Sequence, residues 1–294
     1  RCGLIWRGEA GRPMIEIGGV DDVTLSNLAV GSHDFGPMNH SADIHVTPPA
    51  GSPCRLALDE VYGFGMYQKA PDTHGLHFDR LPPGSVVDAI HVQGNIRISG
   101  SDRAFLLFRT SYEGTVTIDG PASSQQGFVG FMTRLATQSK PTLRVRDNRS
   151  VVISDFYNEQ SDQHLVFEGK SGQPEGAVTI EGAKMHMFTQ EPVFDIRDYA
   201  GRIYYGQSQF YVEPKEPRFV SKGTRSVRLI LAGHFWYDTR PRFELGPEVV
   251  LTTLGNREIP DSGVDDGAMR AIAAALDDLR RLGEFDQRLP RPGS

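Results

Sequence analysis

The sequence predicts an all-β solenoid with a single helix near its C-terminal end, and three observations support this prediction. The 294-residue chain contains 32 glycines and 19 prolines, a content that is too high for a helical bundle and is typical of short strands joined by turns. A unit of two short strands recurs along most of the chain. No stripe of apolar residues at helical spacing lies between these strands.

The repeated unit is an apolar strand, a short turn and a second strand of alternating apolar residues that ends in Gly, Asp or Asn. The first strands of the units cover residues 14–17, 105–108, 143–145, 165–168, 193–196, 219–220 and 243–245. The second strands cover residues 23–27, 116–120, 151–155, 178–182, 203–206, 227–230 and 249–252. In the C-terminal half the second strands recur about every 22 to 26 residues, a period expected of a β-solenoid.

The alternation explains why such units would stack. It places one row of Val, Ile, Leu and Phe side chains in a narrow interior, while each coil pairs its backbone groups with the coils above and below. A single coil could not bury its apolar face alone. The alternative is a β-sandwich, but sandwiches do not repeat a two-strand unit in register.

The tail departs from this pattern between residues 262 and 283. Its apolar positions have helical spacing, and Gly283 lies where such a helix would end. These apolar positions are Met269, Ile272, Leu276 and Leu279. We therefore expect two parts, a solenoid over 1–256 and a C-terminal helix and tail over 257–294 that cover the solenoid's open end or pack on its side. A helix that binds a partner protein is the alternative.

Charge and motif content exclude several function classes. The formal net charge of −6 makes nucleic acid a poor partner, and no apolar run is long enough to span a membrane. Two cysteines, Cys2 and Cys54, cannot form a disulfide framework or a four-thiolate zinc site. The sequence contains no P-loop, no dinucleotide-binding glycine pattern and no serine nucleophile elbow, so nucleotide-dependent and serine-esterase chemistry are not expected.

The coils, and in particular the run Met-Ile-Glu-Ile-Gly-Gly-Val-Asp-Asp-Val-Thr-Leu-Ser-Asn-Leu over residues 14–28, resemble the pectin-lyase-like superfamily of right-handed parallel β-helices. The resemblance extends from residue 3 to about residue 256. It implies a polysaccharide partner, an extracellular, periplasmic or cell-surface location, and a monomer or homotrimer. It also implies an N-terminal cap, which would precede Arg1. The family's catalytic sets of residues are not found here, so no catalytic residue is carried over.

Two candidate site regions follow from the residues themselves. Six of the nine histidines lie between residues 33 and 91, in two segments that interrupt the coil pattern and are expected to adjoin. Histidines and carboxylates together suit general acid and base catalysis. The catalytic candidates here are Asp34, Asp72, His74, His77 and Asp79, with His33 as a substrate-binding candidate. A divalent metal site and an ordinary solvated loop are the alternatives, and no metal ligand is assigned.

The second region lies on the later coils, where aromatic and polar residues align on four successive repeats. Its catalytic candidates are Glu159 and Asp162, and its substrate-binding candidates are His186, Tyr211, His234 and Trp236. An exposed ladder of these rings would form a platform for sugars, whereas an inward ladder would be ordinary core stacking. Glu168 and Asp195 are spaced as a carboxylate pair, but Arg197, a further substrate-binding candidate, indicates an ion-pair ladder instead.

These observations lead to the hypothesis of a carbohydrate-active enzyme that cleaves a polysaccharide in a groove on the β-helix. A hydrolase would use two of the carboxylates. A lyase would use His or Arg as base, with Arg or a metal such as Ca²⁺ neutralising the acidic groups; no cofactor is otherwise expected. The alternative is a non-catalytic glycan-binding or structural β-helix, such as an adhesin or tailspike module.

Overall fold

The structure of the chain is a computed structural model. It describes residues 2–4, 9, 11–20, 22–30, 41–49, 53–63, 74–90, 92–93, 95–100, 105–108, 111–112, 115–119, 128–132, 135–136, 143–154, 157–159, 165–188, 191–213, 216–223, 225–237 and 239–259. For some of these strand residues, including Glu159, His186 and Tyr211, it describes the backbone alone.

The described residues form β-strands and turns, and the strands lie in three rows. The first row contains β3 Asp22–Val30, β5 Arg55–Gly63, β7 Val86–Ile90, β10 Phe105–Phe108, β13 Phe128–Met132, β16 Val151–Ser154, β19 Gly176–Glu181, β22 Gly201–Gly206, β25 Val227–Ala232 and β28 Val249–Leu254. The second row contains β1 Cys2–Leu4, which pairs with the C-terminal end of β3, and β8 Val92–Gln93, β11 Ser111–Tyr112, β14 Leu135–Ala136, β17 Tyr157–Glu159, β20 Lys184–Phe188, β23 Gln209–Glu213, β26 Phe235–Tyr237 and β29 Arg257–Ile259. The third row contains β2 Ile15–Gly18, β4 Ala42–Thr47, β6 His74–Asp79, β9 Ile96–Ser99, β12 Val116–Asp119, β15 Leu143–Arg146, β18 Leu165–Glu168, β21 Phe194–Arg197, β24 Arg218–Lys222 and β27 Arg242–Glu244.

Within each row, neighbouring strands pair in parallel. From β7 onward the three rows alternate along the chain, so each strand pairs with the strand three positions later, as β16 pairs with β19 and β19 with β22. The first two rows belong to one sheet, which β5 links by pairing with both β7 and β8. The parallel order is consistent with a β-helix, and it excludes the antiparallel β-sandwich for these strands.

The core consists of the inward side chains of the rows. Every second side chain of a strand points inward, and examples from four strands are at most 2% exposed: Leu56, Val87, Ile96 and Val116. Phenylalanine rings continue this packing on the later coils, where Phe194 lies with its ring centroid 5.1 Å from that of Phe219. Each buried side chain of this size contributes roughly 1.5–3 kcal/mol by leaving water, so the packing of neighbouring strands supplies stability that a single strand lacks.

The predicted strands agree with the first and third rows, as 14–17 with β2 and 178–182 with β19. The prediction of two strands per unit was incomplete, because from β7 onward each first-row strand is followed by a second-row strand. Chain contacts divide the protein into Arg1–Glu258 and Ile259–Ser294. The predicted helix over 262–283 lies outside the described residues, and its packing on the solenoid stays a prediction. The described residues contain no helix that could span a membrane.

Candidate functional site

The outward side chains of the third row form a polar face. In β9, Ile96 and Ile98 are each 1% exposed and point to the core, while Arg97 between them is partly exposed. The same alternation in β4 and β6 turns His45 and His77 outward, and the register pairs His45 with His77 and His77 with Arg97. We call this surface the third-row face.

Three imidazoles lie together at the N-terminal end of this face. The ring of His77 stacks on that of His45, with centroids 4.7 Å apart, and lies 5.9 Å from that of His74. Burial lowers the pKa of His77 to about 4, and the neighbouring His45 and Arg97 act in the same direction, while Asp79 raises it. Burial likewise lowers the pKa of His74 to about 4. Both rings are therefore uncharged at neutral pH.

A chain of hydrogen bonds joins His77 to a carboxylate. The hydroxyl of Ser99 donates to Oδ1 of Asp79 over 3.0 Å, and Ser99 Oγ lies 2.8 Å from His77 Nε2. Asp79 also accepts a hydrogen bond of 3.1 Å from Nε of the neighbouring Arg80. These contacts connect β6 to β9 on the outward surface and hold the imidazole of His77 in place.

A ladder of arginines and carboxylates continues across the next strands of the face. Arg97 and Arg146 lie 3.1 and 3.7 Å from Asp119. Glu168 is 3.0 Å from Arg146, 3.2 Å from Arg197 and 3.8 Å from Arg144. Each of these carboxylates is thus paired with at least two guanidinium groups across neighbouring strands.

Arg197 completes the ladder at β21. Its Nε donates to Oδ2 of Asp195 over 3.0 Å, and this hydrogen bond, together with the charges of Asp195 and Glu168, raises the pKa of Arg197. Five strand spacings separate β21 from β6, which corresponds to roughly 24 Å. The structure therefore brings His74, His77 and Asp79 together but places Arg197 far from them, in the predicted ion-pair ladder.

The aligned residues of the later coils lie on the second row. Parallel pairing places Glu159 beside His186 and His186 beside Tyr211, as the repeat predicted. His234 and Trp236 have 0% and 2% of their surface exposed, and their rings pack against Phe210. For these two residues the structure corresponds to the inward alternative of core stacking, because an enclosed ring cannot contact a polysaccharide.

The remaining candidates, His33, Asp34, Asp72 and Asp162, lie outside the described residues. Among the residues that are described, no group of three or more His, Cys, Asp or Glu side chains is arranged to hold a metal ion. The sequence analysis missed Arg97 and Ser99. Aligning β6 with β9 would have found them, because His77-x-Asp79 and Arg97-x-Ser99 occupy equivalent outward positions on neighbouring strands.

Comparisons with models of known protein families, with curated proteins and with solved structures found no match.

Proposed function

We propose that this protein is a right-handed parallel β-helix of the pectin-lyase-like type that cleaves a polysaccharide on the third-row face. The observation that carries the proposal is the uncharged imidazole of His77 next to Arg97 on an outward surface. A base beside a fixed cation is the pair of groups that β-elimination on a uronic acid requires.

The charges on this face favour elimination over hydrolysis. Hydrolysis usually requires one carboxylic acid that is protonated and a second carboxylate, and the described carboxylates Asp119, Glu168 and Asp195 are all paired with arginines. In an elimination, the base removes the proton on the carbon next to the uronate carboxylate. The electron pair of that C–H bond forms a carbon–carbon double bond, the bond to the glycosidic oxygen breaks, and this oxygen takes up a proton, so that no water is consumed overall.

Substrate binding would strengthen the base. The positive charge of Arg97 is one of the causes that lower the pKa of His77. A uronate carboxylate bound at Arg97 would offset this charge, so the imidazole would hold a proton more readily in the complex than in the free protein. The uronate would contact the part of the guanidinium that faces solvent, because 38% of the Arg97 side chain is exposed while its Nε and Nη2 lie 3.4 and 3.1 Å from Asp119.

Incubation of the full chain with a panel of neutral and uronic-acid polysaccharides tests the proposal, with reducing ends and the absorbance of unsaturated products as readouts. We expect both signals from a uronic-acid polymer and a loss of roughly 100-fold or more in His77→Gln. Arg97→Gln should also be slower but retain a measurable rate, whereas Arg202→Gln, at an exposed arginine on the first row, should keep the native rate. Reducing ends without the absorbance would overturn elimination in favour of hydrolysis.

A non-catalytic glycan-binding or structural β-helix is the second candidate. It is favoured by the ion-pair ladder from Asp119 to Arg197, in which the charges satisfy one another across neighbouring strands. Such a ladder serves stability as readily as recognition. Binding to a polysaccharide of the panel without cleavage would support this candidate and reject the enzymatic one.

A further inference from the structure

The hydrogen bonds around Ser99 determine which nitrogen of His77 carries a proton. A serine hydroxyl has one proton to donate. The carboxylate of Asp79 can only accept, so Ser99 donates to it over the 3.0 Å contact. The contact of 2.8 Å between Ser99 Oγ and His77 Nε2 must then be donated by the imidazole.

We infer that Asp79 and Ser99 are positioning residues that hold His77 in the tautomer with its proton on Nε2, so that the unprotonated Nδ1 is the atom that accepts a proton from the substrate. The inference rests on the proposed function for the role of that base. Because the pKa of His77 is lowered to about 4, the ring carries a single N–H at neutral pH, and a proton on Nε2 leaves a lone pair on Nδ1.

The surroundings of His77 agree with this assignment. Nε2 points along the face toward Ser99 of β9, and among the described residues no other hydrogen bond engages the His77 ring. The charged and titratable groups that face the ring are His45 on β4, Arg97 on β9, and His74 and Asp79 on its own strand. Of these, Asp79 is the one that favours a protonated ring, so the same hydrogen-bonded chain that orients His77 also stabilises the imidazolium that forms when Nδ1 takes up a proton.

The first test needs no substrate. Nitrogen-15 NMR of the histidine-labelled full chain distinguishes the two tautomers, and a His77→Gln spectrum assigns the signals. We expect His77 of the native protein at pH 7 to have its proton on Nε2. A proton on Nδ1 instead would overturn the inference, whether or not the protein cleaves a polysaccharide. Conversely, the expected tautomer in a protein that cleaves nothing on the panel would reject the proposed function and leave the assignment standing.

Paired substitutions separate positioning from a structural role. Ser99→Ala removes the hydroxyl and should yield a mixture of tautomers and lower kcat by about tenfold or more with little change in KM. Ser99→Thr retains the hydroxyl and should retain the tautomer and most of kcat. Asp79→Asn retains an acceptor for the Ser99 proton and should likewise keep the proton on Nε2, whereas Asp79→Ala should not. Equal tautomer populations in Ser99→Ala and the native protein would overturn the inference, and if Ser99→Ala does not fold, the two Asp79 variants provide the same comparison.

Discussion

The hydroxyl of Tyr199 donates a buried hydrogen bond of 3.0 Å to the backbone carbonyl oxygen of Arg149. Beside it, Oδ1 of Asn148 accepts a hydrogen bond of 3.0 Å from the backbone N–H of Ala200. The two bonds join the turn before β16 to the turn before β22 and pass Gly176 of β19, the strand between them. They connect the turns before two first-row strands, β16 and β22, that are not direct neighbours.

Replacing Tyr199 by Phe should weaken this connection. The variant keeps the buried ring and loses the hydroxyl, so we expect the free energy of unfolding to fall by about 1 kcal/mol. Urea denaturation measures the change. Tyr204→Phe, at a half-buried position on β22, is the matched control and should change stability less. Equal stabilities of Tyr199→Phe and the native protein would show that the bond adds nothing net.

Gly176→Ala should be more damaging than the loss of the tyrosine hydroxyl. A Cβ atom at residue 176 would clash with the hydroxyl of Tyr199 and lie 2.5 Å from the carbonyl oxygen of Asn148. We expect a loss of about 2 kcal/mol or more in the free energy of unfolding. At Gly18 the added Cβ would be 3.7 Å from its nearest neighbour, the carbonyl oxygen of Thr47, so Gly18→Ala is the control. Similar effects of both substitutions would contradict this explanation.

Glu168 holds the third-row ladder together. Glu168→Gln would leave Arg144, Arg146 and Arg197 without the carboxylate they share, and we expect a loss of about 1–3 kcal/mol in the free energy of unfolding. Glu244 also contacts two arginines, Arg218 and Arg242, but at the more exposed end of the row. Glu244→Gln should therefore cost less. Denaturation at low and high salt should show a smaller difference between Glu168→Gln and the native protein at high salt.

The buried His234 should make stability depend on pH. Burial lowers its pKa to about 4, although the backbone of Tyr205 and Ser208 offsets part of the effect. Between about pH 6.5 and pH 4 the unfolded chain binds a proton that the folded chain does not, so stability falls as the pH is lowered through this window. His234 contributes up to about 3 kcal/mol of this loss. We expect His234→Phe to flatten the curve of unfolding free energy against pH, and an unchanged slope would reject the explanation.

The proposed cleavage should follow the protonation of His77. Below about pH 4 the imidazole is protonated and cannot accept a proton, so kcat/KM on a uronic-acid polymer should rise as the pH is raised through about 4 and then level off. Arg97 is one cause of the lowered pKa, so the midpoint in Arg97→Gln should lie at higher pH. Initial rates measured between pH 3 and pH 8 provide the test. A midpoint that does not move in Arg97→Gln would show that Arg97 does not act on the base.

The sequence by itself determined that the chain forms stacked strands. Alternating apolar residues, turn residues and a fixed repeat can be read from the sequence alone. The strands of the first and third rows, such as β19 and β21, could therefore be predicted without knowing which strand each one pairs with. Most second-row strands have only two or three residues, too few for alternation to identify, and the tertiary structure revealed them.

The tertiary structure decided whether each side chain faces the core or the solvent, and which side chains on neighbouring strands it contacts. His234 and Trp236 align with other aromatic residues in the sequence, but a shift of one residue exchanges inward and outward positions, and packing turned both into the core. His77 and Ser99 are 22 positions apart, and only the parallel register of β6 and β9 makes them hydrogen-bond partners. The chain carries the residues of the candidate site, and parallel pairing between strands assembles them, because backbone hydrogen bonds between strands determine which side chains become neighbours.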